Sequence, residues 1–361
     1  PSDPSDPSDP SDPSDPSDWV RRTEMREETE EKRKLERLER RTLSSAVVTV
    51  RPCRSSLSRL LSTPLSSSTI YIYNGKGTTS TSPFMVLRSL HDIVDPNCFR
   101  VQFISASQLN EGQWRASAAA IVFPGGADRL YFEELESKGG NYHISEFVHH
   151  DGGCYVGFCA GAYYGCQRVL FDINGPLEVN ENRTLNFYQG AGVGPVFDGF
   201  DYDSEKGSRA ASIVRTDTGK SVDVYYNGGC FFQDEARSNQ DDQENAASAA
   251  AGTGGATTRV TSYYATAVFN ALSYRSDALD SSEKRLAASV EISMPNGGTA
   301  ILCGVHPEYQ PHQMLSPSKG LRIGKETSFV SNIILKNDEE RCEYLRYLLS
   351  PLLLTGRSCE I

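Results

Sequence analysis

The first sustained apolar run is Thr69-Ile70-Tyr71-Ile72-Tyr73-Asn74, β-branched and aromatic and closed by Gly75, and it predicts an opening strand. Residues 82–94 then place Phe84, Val86, Leu87, Leu90 and Val94 at helical spacing, with Pro96 as the stop. Short strands are predicted over 99–104 and 118–123. A helix is predicted over 142–150, ending in Asp151-Gly152-Gly153. A buried strand over 155–158 follows, and then a helix reaching about Leu170. Residues 213–216 and 221–226, joined by Asp217-Thr218-Gly219-Lys220, read as a hairpin. Residues 261–272 resume a strand. A second hairpin pairs 289–294 with 299–304 through Pro295-Asn296-Gly297-Gly298. The last helix, 338–354, carries Leu345, Leu348, Leu349 and Leu352 on one side. Alternating strands and helices predict an α/β fold of three layers, a mostly parallel sheet with helices on both faces and β-hairpin additions. In such sheets ligands sit beyond the carboxyl ends of the strands.

The ends lack this patterning. Residues 1–68 are expected to be a disordered, low-complexity leader in three parts. Six Pro-Ser-Asp copies open it, with no apolar side chain to bury. A charged stretch follows, with Glu28/Lys32 and Glu30/Lys34 placed for i,i+4 pairing. The third part, rich in Ser and containing Arg51, Arg54 and Arg59, has the composition of an organelle targeting segment. The charged helix in front of it favours a plain linker and a cytoplasmic protein instead. Residues 69–355 form the expected globular domain, interrupted by a disordered insertion at 233–259, and 356–361 form a tail. The net charge is -11, about half of it from the six aspartates of the repeat, so no basic footprint for nucleic acid exists. No apolar run reaches membrane-spanning length. Nine cysteines show no C-x-x-C spacing, which implies free thiols; neither a metal nor a cofactor is expected.

Candidate chemistry centres on Gly157-Phe158-Cys159-Ala160-Gly161, a G-x-C-x-G elbow between strand and helix. The nucleophile of such a turn sits in a strained conformation, so its neighbours carry almost no side chain. The following helix aims its N-terminus at the sulfur and favours the thiolate. Val305-His306-Pro307-Glu308 follows another predicted strand, and residues two apart in an extended segment project to the same side. His306 is therefore the candidate base, with Glu308 fixing its tautomer. Phe123-Pro124-Gly125-Gly126-Ala127-Asp128 ends a third strand, and its Gly125 and Gly126 backbone, with the N–H of Ala160, is the candidate oxyanion hole. The other cysteines read as packing residues; Cys230, beside a glycine turn, is the one that borders a pocket.

These segments, in this order, resemble class I glutamine amidotransferase-like proteins, with a flavodoxin-like sheet. Five of them carry a closer resemblance: Tyr73-Asn74-Gly75-Lys76-Gly77-Thr78-Thr79, Pro124-Gly125-Gly126-Ala127-Asp128, Gly157-Phe158-Cys159-Ala160-Gly161, Tyr226-Asn227-Gly228-Gly229 and Gly304-Val305-His306-Pro307-Glu308-Tyr309. Together they are similar to the N-terminal domain of eukaryotic biotin–protein ligases. The pocket is expected to be lined by Asn74, Gly75, Asp128, Tyr163, Asn227, Gly228 and Gly229.

Two functions stay open. The resemblance implies a regulatory or binding module associated with protein biotinylation. Its ligand would be a small carboxamide or a biotin-pathway compound. Its partner would be a ligase catalytic domain, in a longer or a separate chain, since neither a G-R-G-R-type loop nor a K-W-P-N-D-like segment occurs here. The intact Cys, His and Glu instead favour an active cysteine-dependent amidohydrolase or amidotransferase.

Overall fold

In the computed structural model, the described residues are 68–202, 204–234, 262–270, 286–315 and 325–355. The expected leader up to residue 67, most of the expected insertion and the tail lie outside them, while Ser68, assigned to the leader, opens the first strand. Next to the edge of the sheet, β1 (Ser68–Tyr73) runs parallel to the edge strand β2 (Phe99–Ile104) on one side and to β3 (Ala118–Phe123) on the other. β3 is parallel to β4 (Cys154–Phe158). β4 is parallel in turn to β13 (Thr299–Cys303), distant in sequence. The inner strands are buried almost throughout, as a sheet covered on both faces requires.

Alternation sorts their side chains. Ile70, Ile72, Ala120, Val122, Val156 and Ile301 pack with α1 (Ser82–Ile93), α8 (Asp338–Leu348) and α9 (Ser350–Thr355). Tyr71, Tyr73, Ile121, Phe123, Tyr155 and Leu302 pack on the opposite face, with α2 (Ala106–Glu111), α3 (Asp128–Leu135), α4 (Gly140–His149) and α5 (Ala160–Tyr164). No described helix is long and apolar enough to cross a membrane.

Beyond β13 the pairing turns antiparallel, except for β5 and β7, which run parallel. β12 (Ala287–Ser293) joins β13, then β11 (Ser262–Phe269) and, through Phe232↔Ala287, β10 (Phe231–Asp234). β10 leads to β7 (Tyr188–Gly194), β5 (Cys166–Phe171) and β6 (Val179–Asn182). β11 also pairs with β8 (Arg209–Arg215), which forms the expected hairpin with β9 (Ser221–Tyr226).

Four sequence expectations change. The elbow helix ends at Tyr164 rather than near Leu170, because Cys166, Val169 and Phe171 face the core from a strand. The closing helix is broken at Leu349, just ahead of Pro351, which has no N–H to continue the helical ladder and crowds the carbonyl four residues back. Gln233 and Asp234, assigned to the insertion, continue β10 through pairs with Ala191 and Gly190. Finally, α2, α3, α6 (Pro311–Leu315) and α7 (Lys325–Ile334) occupy stretches in which no helix was predicted.

Candidate functional site

The elbow conformation sits on Cys159 itself, with φ 49° and ψ -104° between β4 and α5. Its glycines are explained by backbone approach. A Cβ on Gly157 would lie 2.3 Å from the Gly161 carbonyl oxygen, and one on Gly161 would lie 2.1 Å from that of Phe123. The Cys159 N–H donates to the Cys303 carbonyl (2.8 Å) and the Gly161 N–H to that of Pro124 (3.2 Å), so the turn is tied to β13 and to the Pro-Gly-Gly segment. The Sγ lies 3.6 Å from the Asn227 carbonyl oxygen. Cys159 is 6% exposed and opens onto a cavity of about 340 Å³.

His306 faces the same cavity. Its backbone N–H donates to the Tyr225 carbonyl (2.9 Å), which docks the segment after β13 against β9. Its Nδ1 meets Glu308 Oε1 at 2.7 Å, with Glu308 only 1% exposed. The ring also lies against the Pro-Gly-Gly turn. A Cβ on Gly125 would stand 2.6 Å from His306 Cε1, 3.4 Å from its Nε2 and 3.7 Å from Cys159 Cβ. Two buried contacts hold the intervening backbone: Ser89 Oγ donates to the Glu308 carbonyl (2.6 Å), and the Arg341 guanidinium donates to the Pro307 carbonyl.

Burial by itself pushes the His306 imidazole toward its neutral form. The Glu308 carboxylate and the Cys159 sulfur, through charge and hydrogen bonds, outweigh burial and raise it from 6.5 to about 10. The imidazole is thus held as a cation at neutral pH. Desolvation pushes Cys154 up to about 12, and it also raises Cys166, Cys230 and Cys303.

Of the residues singled out in the sequence, Cys159, His306, Gly125, Gly126, Ala160, Asp128, Tyr163, Asn227 and Gly228 line the cavity, and Glu308 stands behind His306. Tyr163 OH donates to the Gly228 carbonyl (3.2 Å), and Asp128 is paired with the buried Arg183 at 2.8 Å. Asn74, Gly75 and Gly229 do not line it. Asn74 is exposed at a strand end, Gly75 lies under the Tyr73 ring, and Gly229 lets the chain cross Gly304. From the same turn it is Gly77 and Thr79 that reach the cavity. Cys230 is fully buried and does not border it.

Sequence reading missed two groups of lining residues. Tyr225 and Tyr309 stack with centroids 4.7 Å apart and planes 9° apart. Tyr309 directly follows the His-Pro-Glu segment, a usable signal, whereas Tyr225 arrives through strand register. Phe200, Asp201, Tyr202 and Glu205 come from a loop with no motif.

The fold is a mostly parallel α/β sheet of the glutamine amidotransferase-like type, with a strand–cysteine–helix elbow and a carboxylate-oriented histidine beside its sulfur. Within it, the chain belongs to the biotin-protein ligase N-terminal family, whose model matches residues 68–359. It is 31% identical over 292 residues to a biotin–protein ligase of Schizosaccharomyces pombe, a match spanning 78% of this chain and 37% of that protein. It is 37% identical over 168 residues to an uncharacterized protein of Chlamydia muridarum, spanning 45% of this chain and 63% of that one. The chain thus spans less than two thirds of either relative. Among solved structures it is similar to a glutamine amidotransferase, with a TM-score of 0.41 and 10% identity over 78% of this chain and 98% of that one. A putative ThuA-like protein of Bacteroides uniformis gives a TM-score of 0.37 and 9% identity, over 83% of this chain and 100% of that one.

Proposed function

We propose that the domain hydrolyses a small carboxamide at Cys159. The observation that carries this reading is the 2.7 Å contact of His306 Nδ1 with a buried Glu308, the same imidazole lying against Gly125 beside Cys159. The sulfur attacks the carbonyl carbon, a C–S bond forms, and the carbonyl electrons move onto oxygen. Backbone N–H groups of Gly126 and Ala160 receive that oxyanion, a contribution worth about 100- to 1000-fold in rate per donor. As the tetrahedral centre collapses the C–N bond breaks, and His306 Nε2 gives its proton to the departing nitrogen. Water then attacks the thioester, His306 takes its proton, and the carboxylate leaves as sulfur is restored. Glu308 stays ionised and holds the ring.

Similarity to a biotin–protein ligase supports a second reading. The cavity would then bind a biotin-pathway ligand and regulate a ligase catalytic domain without turnover. Ammonia release from L-glutamine and from its α-amide separates the two, with Cys159→Ala as control. Release by the wild-type chain alone supports hydrolysis. Equal background in both chains refutes it and favours the binding module.

A further inference from the structure

The hydrolytic steps use only one side of the cavity. The other side is built by a single loop between β7 and β8, and that loop is aromatic and acidic. Phe200 and Tyr202 meet edge to face at 4.8 Å, and Phe171 from β5 adds a third ring, 5.4 Å from Phe200 and 6.1 Å from Tyr202. All three line the cavity, together with Asp201 and Glu205. Ser204 Oγ donates to Asp201 at 3.0 Å, and the Thr327 N–H donates to Glu205 at 3.1 Å. These contacts fix the two carboxylates on the cavity wall. Among the described residues that line the cavity there is no lysine or arginine, and the His306 imidazolium is balanced by Glu308 at 2.7 Å. Arg183 reaches Asp128 from behind, and its own side chain is wholly buried.

We infer that this cavity selects a carboxamide bearing a cationic group, an alkylammonium or a guanidinium, and turns away ligands that carry a free carboxylate. The inference rests on the reading of Cys159 as the reacting group and names the substrate class for it. Ring faces attract cations through their quadrupole, and more strongly once water is displaced. Half-buried carboxylates lining a cleft raise the local concentration of a cation. An anionic ligand would instead bring its charge to Asp201 and Glu205, a repulsive element that sharpens the choice. A ligand 340 Å³ in scale, the size of the cavity, can place its amide at Cys159 and its cation among the rings of Phe171, Phe200 and Tyr202.

The test reads charge preference at the sulfur itself. The full chain is labelled with a matched pair of methanethiosulfonates, one ending in an ammonium and one in a sulfonate. Labelling of Cys159 is followed by mass spectrometry, and each rate is normalised to that of N-acetylcysteine. Neutral iodoacetamide is run alongside. The expected cation-to-anion ratio is on the order of tenfold, falling as salt is raised. It should collapse toward one in Asp201→Asn with Glu205→Gln. Asp201→Asn alone serves as the milder variant, with melting curves confirming that each variant folds. Equal cation and anion rates, with brisk iodoacetamide labelling, would overturn the charge selection and leave the nucleophile standing. A high ratio that survives in the folded variants would overturn the assignment to this wall. Failure of all three reagents to label Cys159 would sink the nucleophile and this inference together.

Discussion

Replacing Glu308 by Gln keeps the shape of the side chain and an acceptor oxygen for His306 Nδ1–H but removes the charge. In the native protein His306 is raised from 6.5 to about 10. At about 1.4 kcal/mol per pH unit, that is roughly 5 kcal/mol of preference for the imidazolium. Burial opposes it, and the Glu308 carboxylate is the foremost contribution in favour. Once that charge is gone, burial is opposed only by Cys159, so His306 in Glu308→Gln should lose its proton at markedly lower pH. Carbon-13 labelling of the six histidine rings makes this visible by NMR, with His306→Asn giving the assignment. The native His306 signal should hold its imidazolium position through neutral pH and move only toward about 10. A group raised on folding contributes fully below its ordinary value of 6.5 and loses that contribution as pH climbs through about 10. Urea unfolding should therefore show native stability declining over that window, with Glu308→Gln less stable at neutral pH and much flatter above it. A native His306 that titrates near 6.5, or one unmoved by Glu308→Gln, would refute the assignment of the pair.

A brief iodoacetamide pulse should label Cys159 well before Cys154, Cys166, Cys230 and Cys303, which are at most 4% exposed and raised by desolvation. Peptide mapping reads this directly, and uniform labelling would count against a distinct thiol at the elbow. Gly161→Ala would set a methyl 2.1 Å from a backbone oxygen that cannot swing away, so the urea midpoint should fall by an amount equivalent to about 1–3 kcal/mol or more. An undiminished midpoint would mean that the elbow is looser than its geometry here.

Much of the parallel half of the fold was legible in the sequence, because its strands are short apolar runs ended by glycine. β1, β3, β4 and β13 each announce themselves this way, and all four end at one of the five motif segments. The juxtaposition of Cys159 with His306 was legible for the same reason, since both follow carboxyl ends of strands. What escaped were features without a local signal. Cys166–Phe171 looks helical after an elbow, and only its pairing with β6 and β7 makes it a strand. Tyr225 joins the site because β9 happens to end beside His306. Asp201 and Glu205 belong to a loop whose composition resembles any solvated turn, and tertiary packing alone turns them toward the cavity.

Cys303 stands opposite Phe158 in the pairing of β13 with β4, and opposite Ser289 in its pairing with β12. The separation between the sulfur and the imidazole is thereby counted in whole rungs of a ladder clamped from two sides. Sliding β13 by a single rung would displace the histidine by about 3.3 Å and turn its neighbours to the wrong face. Point changes in the surrounding loops therefore have little leverage on that spacing, whereas a one-residue insertion or deletion between Thr299 and His306 should abolish the alignment at a stroke.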